Sequence, residues 1–287
     1  MSASQPVSKS FDVASEYAPK GYLPKATKIA IVGAGPGQPD LITVRGQRYL
    51  HEADVVIYAG SLVPETLLAV CRPEAERVDT RSLTLEEWVG IISDRAKAGK
   101  KVVRLQDGDP SLYGATHELI SHLVREELPF EIVPGVSAFQ LAAARLNVEL
   151  TIPHLVQTII LTRTTGAASS VPTAENLASL AAHRASLCLY LSAHHCDRAQ
   201  AQLLEHYPGE TPVAVCYRLG WDDEEIYLGD LRSMAEMTRS AQLSRTVLYL
   251  ISPALDAFDT RPDARSHLYS ATHGHIFRRR QAGVVAR

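Results

Sequence analysis

Three short segments of the chain join glycine, proline and acidic residues to the ends of apolar runs, the arrangement from which α/β proteins build ligand sites. The first, Gly33-Ala34-Gly35-Pro36-Gly37-Gln38-Pro39-Asp40-Leu41-Ile42-Thr43, follows the run Ile29 to Val32. A glycine-rich turn in that place can bind phosphate on free backbone N–H groups, but both familiar forms of that chemistry fail here. A dinucleotide loop needs its third glycine three residues after the second, and position 38 is Gln. Its ribose-binding acid is missing too, because the next apolar run ends Val55-Val56-Ile57-Tyr58-Ala59-Gly60, with Asp54 at the wrong end. No Gly-Lys-Ser/Thr follows the turn, which excludes a P-loop. Pro39 favours an extended Gln38 and predicts a helix that starts near Asp40 or Leu41.

The second segment is Asp107-Gly108-Asp109-Pro110-Ser111-Leu112-Tyr113-Gly114. Gly108 permits a tight turn, Pro110 can start a helix, and Asp109 sets a carboxylate beside free backbone N–H groups. The third, Pro134-Gly135-Val136-Ser137-Ala138, follows another apolar run, so three loops are expected along one rim at the C-terminal edge of a sheet. A further cluster, His194-His195-Cys196-Asp197, invites a metal reading. Adjacent histidines on a strand point to opposite faces and cannot easily share one ion, so a loop leading to a helix cap at Asp197 is expected instead. His273 and His275 fare little better, and no metal site is predicted.

These loops need strands and helices to hold them, and the chain alternates between the two. Strands are predicted at Lys28 to Val32, Val55 to Tyr58, Lys101 to Leu105 and Glu131 to Val133, then Thr158 to Thr162, Leu187 to Leu191, Val213 to Tyr217 and Val247 to Ile251. Several are near-continuous apolar runs, as strands buried on both faces should be. Thr84-Leu85-Glu86-Glu87 reads as a capping box opening a helix that ends near Ala98-Gly99, while Ser137 and Thr173 can cap the runs Ala138 to Leu146 and Ala174 to Ala182. The fold class is α/β, with residues 1–25 a flexible extension, 26–135 an N-terminal domain, 136–255 a C-terminal domain and 256–287 a tail. Thr164 to Thr173 reads as a surface loop, and the Arg- and His-bearing tail as solvated or packed on a partner subunit.

Composition narrows the classes further. With 46% apolar residues, 21% charged residues and a formal net charge of -3, the 287-residue chain carries no general nucleic-acid footprint. Cys71, Cys188, Cys196 and Cys216 lack paired spacing, which points to a reducing cytoplasm rather than a disulfide framework or zinc ribbon. The first 25 residues lack the apolar stretch of a secretory signal, and no later run approaches a membrane span.

Taken together, the three loops resemble those of the tetrapyrrole methyltransferases, and the likeness runs from about Lys28 to Leu255. Within that family the chain is most similar to the branch acting at carbon 11 of precorrin-4 or cobalt-precorrin-4. The segments that suggest it are Tyr58-Ala59-Gly60-Ser61-Leu62-Val63, Gly108 to Gly114, Gln157 to Arg163, Tyr217-Arg218-Leu219-Gly220-Trp221 and Ser252-Pro253-Ala254-Leu255. Gln38 replaces a usual acid and Asp107 a usual small or hydroxylated residue. The resemblance implies two α/β domains with a cleft between them, a cytoplasmic homodimer, and S-adenosylmethionine as methyl donor, leaving S-adenosylhomocysteine. It places the cofactor against Pro36, Asp107, Gly108, Asp109, Leu112, Ser137, Ala138, Leu191, Leu219 and Thr246, with Asp109 accepting hydrogen bonds from it. It turns the first glycine loop, with Gly33, Gly35 and Gly37, toward the tetrapyrrole; Arg45 is a further candidate for the ring by type and position, and Tyr113 either packs on the ring, hydrogen-bonds to the cofactor or serves as a core or cleft-wall residue.

Methyl transfer from a sulfonium to carbon is an in-line displacement, so alignment and exclusion of water carry most of the catalysis. No covalent nucleophile is required and none is evident. A precorrin bears many carboxylates, for which Arg45, Arg81, Arg104, Arg163 and Arg218 are candidate partners. Two other readings stand beside this one: a sister enzyme acting on another carbon, as of uroporphyrinogen-III or precorrin-3, and a non-catalytic nucleotide-binding α/β protein.

Overall fold

The computed structural model describes residues 29–166 and 170–257, together with Ser266, His273 and Ile276. The predicted N-terminal extension and nearly all of the predicted tail, His275 included, lie outside the described residues. The chain divides into two compact units between Ser137 and Ala138.

The first unit is built on five parallel strands: β1 (Ile29–Gly33), β2 (Val55–Tyr58), β3 (Glu76–Asp79), β4 (Val102–Gln106) and β5 (Phe130–Val133), in the order β3-β2-β4-β1-β5. Helix α1 (Val44–Glu52) links β1 to β2, α2 (Leu85–Lys97) links β3 to β4, and α3 (Thr116–Arg125) links β4 to β5. Alternation along β1 sends Ala30 and Val32 to the face covered by Leu50 of α1, and Ile29 and Ile31 to the face covered by Trp88, Ile92, Leu119 and Leu123. Each such fully buried large apolar side chain contributes roughly 1.5–3 kcal/mol relative to exposure. The connection leaving β1 runs toward β2, while the one leaving neighbouring β4 runs the other way, toward β5. The C-terminal ends of β1 and β4 therefore flank a topological switch point, where an open parallel sheet leaves a crevice.

Helix α2 begins with the predicted capping box: the Thr84 side chain accepts from the Glu87 amide, and Glu87 accepts from the Thr84 amide at 2.7 Å. Helix α1 begins later than Pro39 suggests. Pro39–Leu41 forms one 3-10 turn, and α1 starts at Val44, where Thr43 Oγ1 accepts from the Gly46 amide at 3.1 Å. Pro110 likewise does not open a helix; α3 starts six residues on at Thr116.

The second unit contains α4 (Ala138–Arg145), β6 (Ile159–Arg163), α5 (Leu177–Ala181), β7 (Ser186–Tyr190), α6 (Cys196–Leu204), β8 (Pro212–Tyr217), β9 (Glu225–Asp230), α7 (Met234–Ser240) and β10 (Val247–Ile251). Its sheet is mixed, in the order β6-β7-β10-β8-β9, with β6 and β7 parallel and the remaining neighbours antiparallel. Leu187, Leu189, Val213, Val215 and Tyr249 pack against α5, α6 and α7. The cap of α5 is Asn176, which accepts from the Ser179 amide at 2.9 Å; Thr173 instead opens a preceding 3-10 turn. Asp197 is not a cap either, since α6 begins at Cys196 and Asp197 lies in its first turn, paired with Arg239.

Candidate functional site

The rim of the first unit is made by backbone meeting backbone. Beyond β1 and β4 the strands continue as an isolated bridge, in which the Gly35 amide donates to the Gly108 carbonyl at 3.2 Å and the Gly108 amide returns to the Gly35 carbonyl at 2.8 Å. On the other side of β1, Gly135 lies so close that a Cβ there would overlap the Gly108 carbonyl oxygen and sit 2.8 Å from Gly33 Cα. A Cβ on Gly33 would in turn fall 2.5 Å from Gly135 Cα. Glycine is thus required at Gly33 and Gly135, because no side chain fits between them, while Gly108 holds left-handed backbone at φ 57°.

Asp109 fastens this assembly. Its Oδ2 accepts from the Gly135 amide and its Oδ1 from the Ser111 amide, both at 2.8 Å, and the Ser111 hydroxyl donates to Oδ1 as well. Burial alone would push its carboxyl up, but these hydrogen bonds outweigh that and hold it below the ordinary carboxylate value. The carboxylate expected to face the cofactor therefore serves first as a staple between the loops after β4 and β5. Ser137 is buried beside Gly108, while Pro36 and Leu112 are partly exposed. Asp107 follows directly on β4; burial pushes its carboxyl upward, offset in part by its own amide and the Arg104 guanidinium.

The loop continues under strain. Tyr113 and Ala115 both hold left-handed backbone, at φ 53° and 52°, on either side of Gly114, whose α-carbon packs directly on the Gln106 side chain. Non-glycine residues in that region cost free energy and concentrate at functional sites. Tyr113 is exposed there.

The predicted arginines have separate fates. Arg45, on α1, pairs with Glu131 at 3.2 Å, and Glu131 lies beside Ala30, three residues before Gly33. At roughly 3.3 Å per residue this sets the ion pair about 10 Å down the strand from the rim, not on it. The same Glu131 accepts from Tyr49, whose hydroxyl is pushed up to about 12 by burial, with Glu131 adding to the effect. Arg104 is only 6% exposed, lies over the Trp88 ring at 4.5 Å, and donates from Nη1 to Thr80 Oγ1 at 3.3 Å. Its Nε has no hydrogen-bond partner among the described residues, and burial lowers its pKa to about 10. In the second unit Arg163 donates to the Ser170 carbonyl at 3.3 Å.

The second unit gathers Leu191, Leu219 and Thr246 at one edge of its sheet. Leu191 follows β7, Leu219 follows β8 and Thr246 precedes antiparallel β10, while the Arg218 amide donates to the Thr246 carbonyl at 3.0 Å. Leu191, Arg218 and Thr246 all hold left-handed backbone, at φ 52°, 44° and 55°. Leu191 is 66% exposed, whereas Leu219 is buried, at 5% exposed. Arg218 stacks on Trp221 at 4.1 Å and pairs with Asp223 at 2.9 Å. Two residues missed by sequence reasoning stabilise this edge: Thr164 donates its amide to Ser192 Oγ at 3.1 Å, and Ser192 Oγ donates to the Tyr190 carbonyl at 2.7 Å. Nothing in their spacing marks them, because both are ordinary loop hydroxyls until the strands bring them together.

His194 and His195 lie in a 3-10 turn, Ala193–His195, rather than on a strand. Among the described residues no three His, Cys, Asp or Glu side chains converge as a metal site would require.

The two units thus define an α/β ligand-handling protein whose rims are built from backbone and strained turns. Residues 28–235 match the family model of the Tetrapyrrole (Corrin/Porphyrin) Methylases, and the chain belongs to that family. It is 44% identical over 248 residues to a precorrin-4 C(11)-methyltransferase of Mycobacterium tuberculosis, covering 86% of this chain and 98% of that one. Among solved structures, it resembles a cobalt precorrin-4 methyltransferase at TM-score 0.76 and 42% identity, covering 79% of this chain and 95% of the other. It also resembles the uroporphyrin-III C-methyl transferase of Thermus thermophilus complexed with S-adenyl homocysteine, at TM-score 0.68 and 27% identity, covering 80% and 99% respectively.

Proposed function

We propose that this chain transfers a methyl group from S-adenosylmethionine to carbon 11 of precorrin-4, in its metal-free or cobalt-bound form, during corrin synthesis. The observation that carries the reading is the glycine-only contact of Gly33, Gly108 and Gly135 at the switch point, in a chain 44% identical to a precorrin-4 C(11)-methyltransferase. Backbone pressed against backbone makes a low shelf without projecting side chains, suited to a broad flat ring. Phosphate chemistry is disfavoured because α1 begins only at Val44, well beyond the strand end.

S-Adenosylmethionine, when bound, supplies a methyl group already activated on sulfur. The donor set fits it: Pro36, Asp107, Gly108, Asp109, Leu112, Ser137 and Ala138, with Leu191, Leu219 and Thr246, offer mostly backbone groups and carboxylate oxygens that suit hydroxyl, amide-like and ammonium partners. Gly33, Gly35, Gly37 and Tyr113 would face the ring. The chain's task is then to align carbon 11 with the methyl group and keep water out. The reading includes a homodimer and a cytoplasmic setting.

An anaerobic assay with metal-free and cobalt-loaded precorrin-4, followed by mass spectrometry, tests it. Gain of one methyl by either form is expected. Methylation of uroporphyrinogen-III or precorrin-3 in place of both forms overturns the carbon-11 assignment.

A further inference from the structure

We propose that Arg81 is a specificity-determining residue that reads a peripheral carboxylate of the tetrapyrrole, held in place by a turn built for that purpose. The inference rests on the proposed function for the nature of the substrate. Its structural basis is independent of that reading.

Each residue of the turn Asp79-Thr80-Arg81, at the C-terminal end of β3, is tied down. Asp79 Oδ1 accepts from the Gly60 amide and from the Arg81 amide, both at 3.0 Å, and Oδ2 accepts from Arg81 Nε. Thr80 donates both its amide and its hydroxyl to the Tyr58 carbonyl, at 2.8 and 3.2 Å. Beneath it, buried Arg104 reaches from β4 to Thr80 Oγ1. Gly60 leaves room for the arrangement, since a Cβ there would lie 2.5 Å from Arg81 Nη2 and 2.6 Å from Asp79 Oδ2.

The outcome is a guanidinium with its Nε committed and, among the described residues, its two Nη groups left over, on a side chain 53% exposed. An exposed arginine held on one edge by a carboxylate has lost much of its rotamer freedom before a ligand arrives, so an anion binding its open side loses less entropy. Arg104 adds a second positive charge beneath the same turn, and no carboxylate of the described residues lies at hydrogen-bond distance to neutralise it. Position selects the ligand. β3 lies two strands from β4, about 10 Å at ordinary strand spacing, on the same C-terminal edge as the glycine shelf. A compact substrate on the shelf would not span that distance. A macrocycle with acetate and propionate arms would.

The test compares Arg81→Ala and Arg81→Lys with the wild-type protein. Arg81→Ala is expected to raise the KM for precorrin-4 by about tenfold or more, the usual weight of a charge-assisted hydrogen bond, with kcat and S-adenosylhomocysteine affinity unchanged. Arg81→Lys should recover part of the loss, and added salt should narrow the gap between variant and wild type. An unchanged KM, or an equal loss of cofactor affinity, overturns the assignment. Uroporphyrin III, a stable ring with the same kinds of arms, supplies a readout without turnover by fluorescence titration. Equal affinity of wild type and Arg81→Ala for it rejects the Arg81 role even if no precorrin-4 is methylated, whereas absence of methylation by the wild type alone counts only against the proposed function.

Discussion

The Asp109 carboxylate accepts from the Gly135 amide at 2.8 Å and thereby joins loops whose residues are 26 apart in the chain. That bond fixes the spacing between the ends of β4 and β5, and so the floor on which a ligand would rest. Asp109→Asn should therefore weaken S-adenosylhomocysteine binding through loss of loop order, and destabilise the protein by about 1 kcal/mol, the cost of losing a hydrogen bond to a partly buried charged group in a solvent-screened setting. Calorimetry and urea unfolding measure the two effects. The pH dependence has a definite sign. Because the folded carboxyl is held below its ordinary value, its stabilisation is complete above about pH 4 and disappears as pH falls through the folded pKa. The stability gap between wild type and Asp109→Asn should thus be constant near neutrality and close in acid.

Glycines with different surroundings should respond in opposite directions. Gly135→Ala puts a Cβ into the Gly108 carbonyl, a backbone atom that cannot move aside cheaply, so a loss of about 2 kcal/mol or more is expected with a larger loss of turnover. Gly90 lies inside α2, where a Cβ would meet nothing within 4 Å among the described residues, and Gly90→Ala should stabilise by about 0.5–1 kcal/mol through helix propensity alone. Thermal melts of both variants separate the two mechanisms.

Arg104 is a buried charge with no carboxylate at hydrogen-bond distance among the described residues, and with only the weaker attraction of nearby Asp107 it is costly to fold. Burial lowers its pKa to about 10, so the unfolded chain binds this proton more tightly and the penalty is present in full below that pH. Arg104→Met should leave stability within about 1 kcal/mol of wild type or raise it, because an apolar side chain of similar length avoids the desolvation. The same variant frees Thr80 and should raise the KM for the tetrapyrrole. Greater stability with poorer substrate binding is the expected pair of results; a loss of several kcal/mol would contradict it.

At the rim of the second unit, Leu191 combines left-handed backbone with an exposed side chain. Leu191→Gly removes the backbone strain and almost no packing, so stability should rise by up to about 1 kcal/mol. Cofactor affinity should fall, since the edge loses both its defined geometry and an apolar surface. Unfolding curves and titration with S-adenosylhomocysteine provide the check.

Most of the strands that the chain announces are buried on both faces. β1, β2, β4, β7, β8 and β10 follow continuous or near-continuous apolar runs, and each lies within a residue or so of the run that predicts it. β3 and β9 escape sequence reasoning; both are edge strands, as are β5 and β6, which are still legible because Phe130 to Val133 and Ile159 to Thr162 keep apolar residues that β3 and β9 largely lack. An edge strand has only one neighbour and tolerates water, so Glu76-Arg77-Val78-Asp79 reads as a loop, and Glu225 to Asp230 lacks an apolar run. Proline is a poor guide to helix starts here for a related reason: Pro39 and Pro110 open short turns whose length is set by the loops they serve. The glycine loops themselves are legible because glycine and proline act locally. The Asp109–Gly135 staple and the bond from Arg104 to Thr80, next to Arg81, depend on strand order, which no local pattern contains.

Gly46 gives the first loop its final meaning. A Cβ there would meet Val32 Cγ1 at 2.8 Å, so this glycine provides the close helix-to-strand approach that a dinucleotide loop assigns to its third glycine. The contact is kept but moved eight residues along from position 38, and the added chain lies over the strand end. Loop length thus decides what such a sheet admits. A short loop aims a helix at a compact polyanion, whereas this longer one withdraws the helix and opens a ledge, so trimming Pro36 to Thr43 should shift selectivity from wide rings toward small anions without disturbing the sheet below.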